Sequence, residues 1–169
     1  MSERPFVPLS VAVVTISDTR QLETDTSGAL ILALLSDAGH QVVQRHIIKD
    51  DLAGIRSMFA ALIAEPAVQV VLATGGTGIT ARDVTIEALE PLVSKAIVGF
   101  GELFRWLSFA EIGASTIQSR ASAALCDKTL VFALPGSRGA VRLAMESIII
   151  PQLDSRTKPC NFAELMPRF

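Results

Sequence analysis

Residues 72–85 read LATGGTGITARDVT, an apolar run that ends in small residues and is followed by adjacent Arg82 and Asp83. The full run, VQVVLAT at 68–74, is short and rich in Val and Leu, which is typical of a strand covered on both faces. Glycines directly after such a strand allow tight turns and close approach of the backbone to a neighbour. The stretch therefore predicts a buried strand, a glycine turn and a helix that begins near Asp83.

Three further apolar runs have the length of strands, at 9–17, 41–48 and 128–135. The run at 41–48, QVVQRHII, is more mixed, which indicates a position nearer the edge of the sheet. Amphipathic helical patterns separate or follow the runs, at 27–38, 52–64, 83–91, 99–109, 115–126 and 137–150. Strands that alternate with helices predict a doubly wound α/β sheet, in which ligands bind at the carboxyl ends of the strands.

The length and composition of the sequence predict one soluble domain spanning residues 1–169. Half of the residues are apolar, 19% are charged and the net charge is −2, so there is no overall basic field to hold nucleic acid. No apolar run approaches the roughly 18 residues of a membrane span, and the first ten residues lack the apolar segment of a signal peptide. Two separated cysteines favour free thiols and a cytoplasmic location. We expect a flexible N-terminus at 1–8 and an extended tail at 151–169.

The predicted strand ends bring together small and acidic residues. The segment TGGTG (74–78) is either an ordinary turn or an anion-binding nest, and alone it fits both. Asp83 either caps the following helix or binds a ligand, and Asp50 occupies the equivalent position after the second strand. Asp51 is interpreted as a helix start. Two carboxylates beside a glycine nest favour a site that holds anions together with a divalent cation such as Mg²⁺.

Two other helix starts have the same double interpretation. In PGS (135–137) the serine either caps a helix or contacts a phosphate, and the glycine allows close approach. In DTSG (25–28) the polar residues start a helix and the glycine leaves room above it. Ser17 ends the first predicted strand and belongs to the same rim.

Several motifs in the same order resemble the molybdenum-cofactor biosynthesis proteins of the MoaB/MogA type, which include molybdopterin adenylyltransferases. The resemblance covers residues 9–162 and rests on these segments: TISDT (15–19), DTSG (25–28), VLATGGTGITARDVT (71–85), GFGELFR (99–105), STIQSRA (115–121) and LPGSRGAV (134–141). It implies a three-layer α/β/α, mostly parallel molybdopterin-binding fold. The segment QLDSRTKPCNF (152–162) is similar to the B branch.

The resemblance also implies a function. Active members join the phosphate of molybdopterin to the AMP part of ATP in a Mg²⁺-dependent step, and the product passes to a molybdate-inserting protein. It implies a homo-oligomer, a trimer or a hexamer, and a mean hydropathy of +0.45 independently favours subunit contacts. By motif, Asp50 and Asp83 are the acidic catalytic residues and Mg²⁺ ligands. The predicted substrate-binding residues are Ser17, Asp25, Ser27, Gly28, Thr74, Gly75, Gly76, Thr77, Gly78, Arg82, Pro135, Gly136 and Ser137.

One departure concerns the residue before the first acid. It is typically Pro in the adenylyltransferase branch and is Lys49 here. Both acids are present, so an active adenylyltransferase is the leading hypothesis. The alternatives are a non-catalytic oligomer that stores or delivers molybdopterin, and an interaction module.

Overall fold

The computed structural model describes residues 4–169, which form one six-stranded sheet. The spatial order is β2-β1-β3-β6-β5-β4, and β2, β1, β3 and β6 are parallel while β5 and β4 are antiparallel to their neighbours. The four predicted strands are confirmed, and the second of them lies at the sheet edge as expected. The strands are β1 (Ser10–Ile16), β2 (Gln41–Ile48), β3 (Val70–Thr74), β4 (Lys95–Ala96), β5 (Ser122–Cys126) and β6 (Thr129–Leu134).

The helices lie on both faces of this sheet. They are α1 (Thr26–Ala38), α2 (Leu52–Ala64), α3 (Thr85–Leu89), α4 (Val98–Ile112), α5 (Arg138–Ala144), α6 (Ile150–Leu153) and α7 (Phe162–Leu165). A π-helical turn, Met145–Ile149, joins α5 to α6. Within residues 4–169 no helix is both long enough and apolar enough to cross a membrane.

The helix predicted at 115–126 is wrong. A 3-10 segment, Gly113–Gln118, is followed by β5, which forms a hairpin with β6 around Asp127. The alanines of β5 have high helix propensity, but they are buried in the sheet, and pairing with β6 overrides that local preference. The two-residue strand β4, which extends this antiparallel edge, was not predicted.

Two apolar layers cover the sheet and confirm the three-layer α/β/α prediction. On one face α1, α4 and α5 pack on the side chains of β1, β3 and β6 that point toward them, with Phe132 at the centre. On the other face α2 and α3 pack on the alternate side chains, with Phe59 fully buried. Each central strand is therefore buried on both sides, which explains its continuous apolar sequence.

The N-terminal segment is fastened to the C-terminal tail. The Ser155 hydroxyl donates to the Pro5 carbonyl (2.8 Å) and accepts from the Val7 N–H (3.0 Å). Arg4 forms an ion pair with Glu164, and the tail places Phe162 against the core. Thus residues 4–7 are held by contacts and the tail includes a helix, while residues 1–3 of the expected flexible N-terminus lie outside the described residues.

Candidate functional site

An open cleft lies at the carboxyl ends of β1, β3 and β6, where the strand alternation predicted it. Its volume is about 670 Å³. It is lined by Ile16, Ser17, Asp18, Thr19, Asp50, Gly75, Gly76, Thr77, Gly78, Arg82, Asp83, Ser115, Gln118, Ser119, Pro135 and Gly136. Both acidic candidates and the glycine loop therefore face one cavity.

The glycine loop has a backbone that other residues do not readily adopt. Gly75 and Gly76 have φ values of +111° and +63°. A Cβ on Gly75 would lie 2.2 Å from the Ile16 carbonyl oxygen, and one on Gly76 would lie 2.4 Å from the Thr85 hydroxyl. Both positions therefore require glycine, for conformation and for space.

Two buried threonines, Thr74 and Thr85, fix this loop through hydrogen bonds of their hydroxyl groups. The Thr85 hydroxyl donates to the Gly75 carbonyl (2.8 Å), and the Thr85 N–H donates to the Gly76 carbonyl (3.0 Å). The Thr74 hydroxyl donates to the Pro135 carbonyl (2.8 Å) and joins the loop to the turn after β6. Thr85 was not predicted as a site residue, although it belongs to the motif quoted above. The loop is thus fixed on the side away from the cleft.

Asp50 presents a buried carboxylate oxygen to the loop. Its Oδ1 has no hydrogen-bond partner in the described part of the chain, and it would lie 2.9 Å from a Cβ on Gly76. Burial raises the pKa of Asp50, and the charge of Asp83 raises it further. A carboxylate that is buried, unpartnered and next to a like charge is stabilised by a bound cation.

The pKa of Asp83 is shifted in the opposite direction to that of Asp50. Its Oδ2 accepts from the Thr80 hydroxyl (2.6 Å) and the Thr80 N–H (2.9 Å). The Thr80 hydroxyl is the main cause of a lowered Asp83 pKa, with help from the backbone of Thr80 and Gly78 and the charge of Arg120. Asp83 is therefore ionised and rigidly held.

The structure distinguishes the two aspartates that were interpreted as possible helix starts, Asp83 and Asp51. Val84 lies at the N-terminal cap of α3, so the capping interpretation of Asp83 is wrong. Asp51 does cap α2, because its carboxylate accepts from the Gly54 N–H (2.7 Å), as predicted. The two adjacent aspartates after β2 thus have different roles in the geometry: one starts a helix and Asp50 faces the cleft.

Asp18 and Arg82 face each other at the mouth of the cleft. They form an ion pair, and the Arg82 side chain is 73% exposed. Asp18 also accepts from the Asp50 N–H (3.3 Å) and so supports the loop after β2. Asp18 was not among the predicted site residues, because its place opposite Arg82 depends on the path of two loops.

Of the DTSG residues, Asp25 and Ser27 line a smaller side cavity of about 90 Å³, which shares Ile16, Ser17 and Gly136 with the main cleft. The carboxylate of Asp25 caps α1 through the Gly28 N–H (2.8 Å), accepts from Thr15 (2.7 Å) and contacts Arg45 (3.1 Å). These contacts occupy both of its oxygens.

Ser27 and Gly28 also make contacts within the protein. The Ser27 hydroxyl donates to the Gly136 carbonyl (2.8 Å), which ties α1 to the turn after β6. A Cβ on Gly28 would lie 2.1 Å from the Asp25 carboxylate, so this glycine makes room for the α1 cap. Contact of these residues with a substrate stays a prediction.

Ser137 lies outside the main cleft. Its hydroxyl caps α5 by accepting from the Ala140 N–H (3.3 Å), and it lines an adjoining cavity of about 210 Å³ between α4 and α5. Pro135 and Ser119 line both cavities. The structure thus places Pro135 and Gly136 in the main cleft with the glycine loop, Asp50 and Asp83. Ser137 lies in the adjoining cavity instead.

The donor set fits a hard divalent cation that is only partly enclosed by protein. Within residues 4–169 no group of three His, Cys, Asp or Glu side chains is arranged to hold a metal. Mg²⁺ in nucleotide sites is commonly held by one or two carboxylates, with water and substrate phosphates completing its shell. Asp50 and Asp83 supply that number, and Oδ1 of Asp50 has no hydrogen-bond partner within residues 4–169.

The fold and cleft define a class of α/β domain found in other proteins. A family model described as a probable molybdopterin binding domain matches residues 12–155. Molybdenum cofactor biosynthesis protein B of Escherichia coli K12 is 53% identical over 157 residues, covering 93% of this chain and 92% of that protein. The namesake from Bacillus subtilis is 49% identical over 142 residues, covering 83% and 84%.

Solved structures agree with these sequence matches. A crystal structure of a Molybdenum cofactor biosynthesis protein B has a TM-score of 0.84 at 49% identity, covering 90% of this chain and 94% of that chain. The tungsten cofactor synthesizing protein MoaB from Pyrococcus furiosus has a TM-score of 0.73 at 37% identity, covering 84% and 91%. The chain therefore belongs to the molybdenum cofactor biosynthesis protein B family, and the predicted resemblance is confirmed.

Proposed function

We propose that this protein adenylylates molybdopterin with ATP in a Mg²⁺-dependent reaction. Its family acts in molybdenum cofactor biosynthesis. The observation that supports the specific chemistry is the pair of carboxylates, Asp50 and Asp83, that lie beside the glycine loop in one cleft. A store or carrier of molybdopterin needs the cradle alone, whereas two carboxylates that can hold a divalent cation fit a reaction between anions.

The reaction joins two phosphate groups. An oxygen of the pterin phosphate attacks the α-phosphorus of ATP and forms a new P–O bond. The bond from that phosphorus to the bridging oxygen breaks, and its electron pair leaves with pyrophosphate. Because the nucleophile is already an anion, no strong general base is required, and the protein acts by positioning and by stabilising charge.

The residues have separate roles in this scheme. The loop Gly75–Gly78 seats the pterin phosphate, and exposed Arg82 exchanges Asp18 for a phosphate oxygen. Asp50 and Asp83 hold the cation, which when bound neutralises phosphate charge and polarises the α-phosphorus. The adenylylated pterin is the substrate expected for a molybdate-inserting partner.

Incubation of the purified protein with molybdopterin, ATP and Mg²⁺ tests this proposal. We expect stoichiometric release of pyrophosphate and formation of adenylylated pterin, and we expect neither when EDTA removes the metal. Pterin binding without pyrophosphate release would reject the enzyme and favour the storage or delivery role instead. Fluorescence titration of molybdopterin in the same buffer provides the binding measurement.

We further propose that the protein is a homo-oligomer with contacts through α4. This helix and the 3-10 segment after it expose large apolar side chains that no other part of residues 4–169 covers. They are Val98, Leu103, Trp106, Phe109, Ile112 and Ile117, of which Trp106 is 72% and Ile117 is 78% exposed. Exposed apolar patches of this kind typically mark subunit interfaces.

Replacement of Trp106 by Glu is expected to lower the molar mass measured by light scattering to that of a smaller assembly. A charge at the centre of the patch would have to be buried without a partner. Leu22→Glu is the control, because Leu22 is 59% exposed in the loop between β1 and α1. A parent protein that is already monomeric, or a Trp106→Glu variant with unchanged mass, would contradict the interface.

A further inference from the structure

Arg120 reaches the glycine loop from the segment that precedes β5. Its Nε donates to the Gly78 carbonyl (2.6 Å) and its Nη2 donates to the Asp83 carbonyl (2.8 Å). The Arg120 N–H donates to the Thr77 carbonyl (3.1 Å). One residue therefore joins the end of the glycine loop to the backbone of an acidic residue five positions later.

Glu87 fixes the orientation of the Arg120 guanidinium. Its carboxylate pairs with Nη1 and accepts a second bond from Nη2 at 3.3 Å, in a forked arrangement. The hydrogen bond from Arg120 is the main cause of a lowered Glu87 pKa, so this contact stabilises the ionised carboxylate. Glu87 belongs to α3, so Arg120 also joins that helix to the loop.

These contacts distinguish Arg120 from a phosphate ligand. A guanidinium has five N–H donors in a fixed plane. In Arg120, Nε and both Nη atoms point to protein oxygens, and the side chain does not line the cleft. Arg82, by contrast, is exposed, forms an ion pair with Asp18 and lines the cleft, where it can meet a substrate anion.

We propose that Arg120 is a positioning residue for the metal-holding pair. It fixes the Gly78 and Asp83 carbonyls, and this holds the Asp83 carboxylate beside Gly78 in the loop that also contacts Asp50. A lysine can supply the charge, but it cannot reach two carbonyls and a carboxylate in one plane. The inference rests on the proposed function, because it assigns Asp83 to the cation.

Mn²⁺ binding in the presence of α,β-methylene ATP, followed by electron paramagnetic resonance, tests the role without turnover. Outer residues that orient a metal ligand typically contribute 10- to 100-fold to metal affinity, so we expect Arg120→Lys to weaken Mn²⁺ binding by at least about tenfold. The thermal unfolding midpoint is measured beside it. A loss of affinity at a preserved midpoint separates positioning from folding.

Arg105→Lys is the matched control. Arg105 is also half-buried near this segment, but its contacts are two long bonds of 3.4 Å to the Ser119 and Ala121 carbonyls. We expect its Mn²⁺ affinity to equal that of the parent. Equal weakening in both variants would overturn the assignment to Arg120, and so would unchanged affinity in Arg120→Lys.

Glu87→Gln gives an independent variant. It removes the charge that orients Arg120 but leaves both carbonyl contacts possible, so a smaller loss of affinity is expected. If Arg120→Lys does not fold, unchanged Mn²⁺ affinity in Glu87→Gln overturns the proposal. A parent protein that binds no Mn²⁺ with the analogue would instead reject the cation site, and with it the proposed function.

Discussion

Replacement of Asp83 by Asn is expected to reduce adenylylation at least about 100-fold, the loss typical when a main electrostatic contact to a transition state is removed. Asn retains an oxygen for the Thr80 hydrogen bonds but has no charge with which to hold a cation. Asp50→Asn is expected to have a similar effect, because Asp50 supplies the unpartnered oxygen. The initial rate of pyrophosphate release at saturating Mg²⁺ is the measurement.

Asp51→Asn is the control for these two variants. Asp51 follows Asp50 directly, yet it caps α2 through the Gly54 N–H, and Asn is an equally good cap. We expect its rate and stability to match those of the parent. Full Mg²⁺-dependent turnover by Asp83→Asn would show that the carboxylate does not hold the metal.

Replacement of Gly75 by Ala is expected to destabilise the protein by about 3 kcal/mol or more, through a disfavoured positive φ and a clash together. The new methyl group would lie 2.2 Å from the Ile16 carbonyl oxygen, which is rigid backbone at the end of β1. Relief of the clash requires the loop after β3 to move away from the end of β1. Urea unfolding followed by circular dichroism measures the change.

Gly139→Ala provides the comparison within the same chain. Gly139 lies in α5, and a Cβ there would meet no atom of the described residues within 4 Å. We expect this substitution to be neutral or to stabilise by up to about 1 kcal/mol, as alanine does in exposed helices. A free energy of unfolding that changes equally in the two variants would mean that the loop conformation is not what requires glycine.

The parallel half of the sheet was predictable because its strands are buried on both faces and are therefore continuously apolar. The antiparallel edge was not predictable in this way. Two of the five residues of β5 (Ser122–Cys126) are alanine, and this segment is a strand because it pairs with β6. Local sequence does not contain that long-range contact.

The same distinction applies to the candidate site. Asp50, Asp83 and the glycine loop were predictable because the carboxyl ends of parallel strands meet at one edge. Asp18, Thr85 and Arg120 act through contacts with loops, and the path of a loop is not encoded in a periodic pattern. In the sequence, each of these three residues could have been noticed as a polar residue within one of the quoted motifs.

The fastening of residues 4–7 to Ser155 and Glu164 has a consequence for protein engineering. Because residues 4–7 contact the C-terminal segment, a short linker between these two segments can join them in a circular permutant. New ends can then open at the exposed turn around Asp127 and Lys128, between β5 and β6. Such a permutant would keep every strand connection that builds the cleft while it moves fusion partners to a different face of the domain.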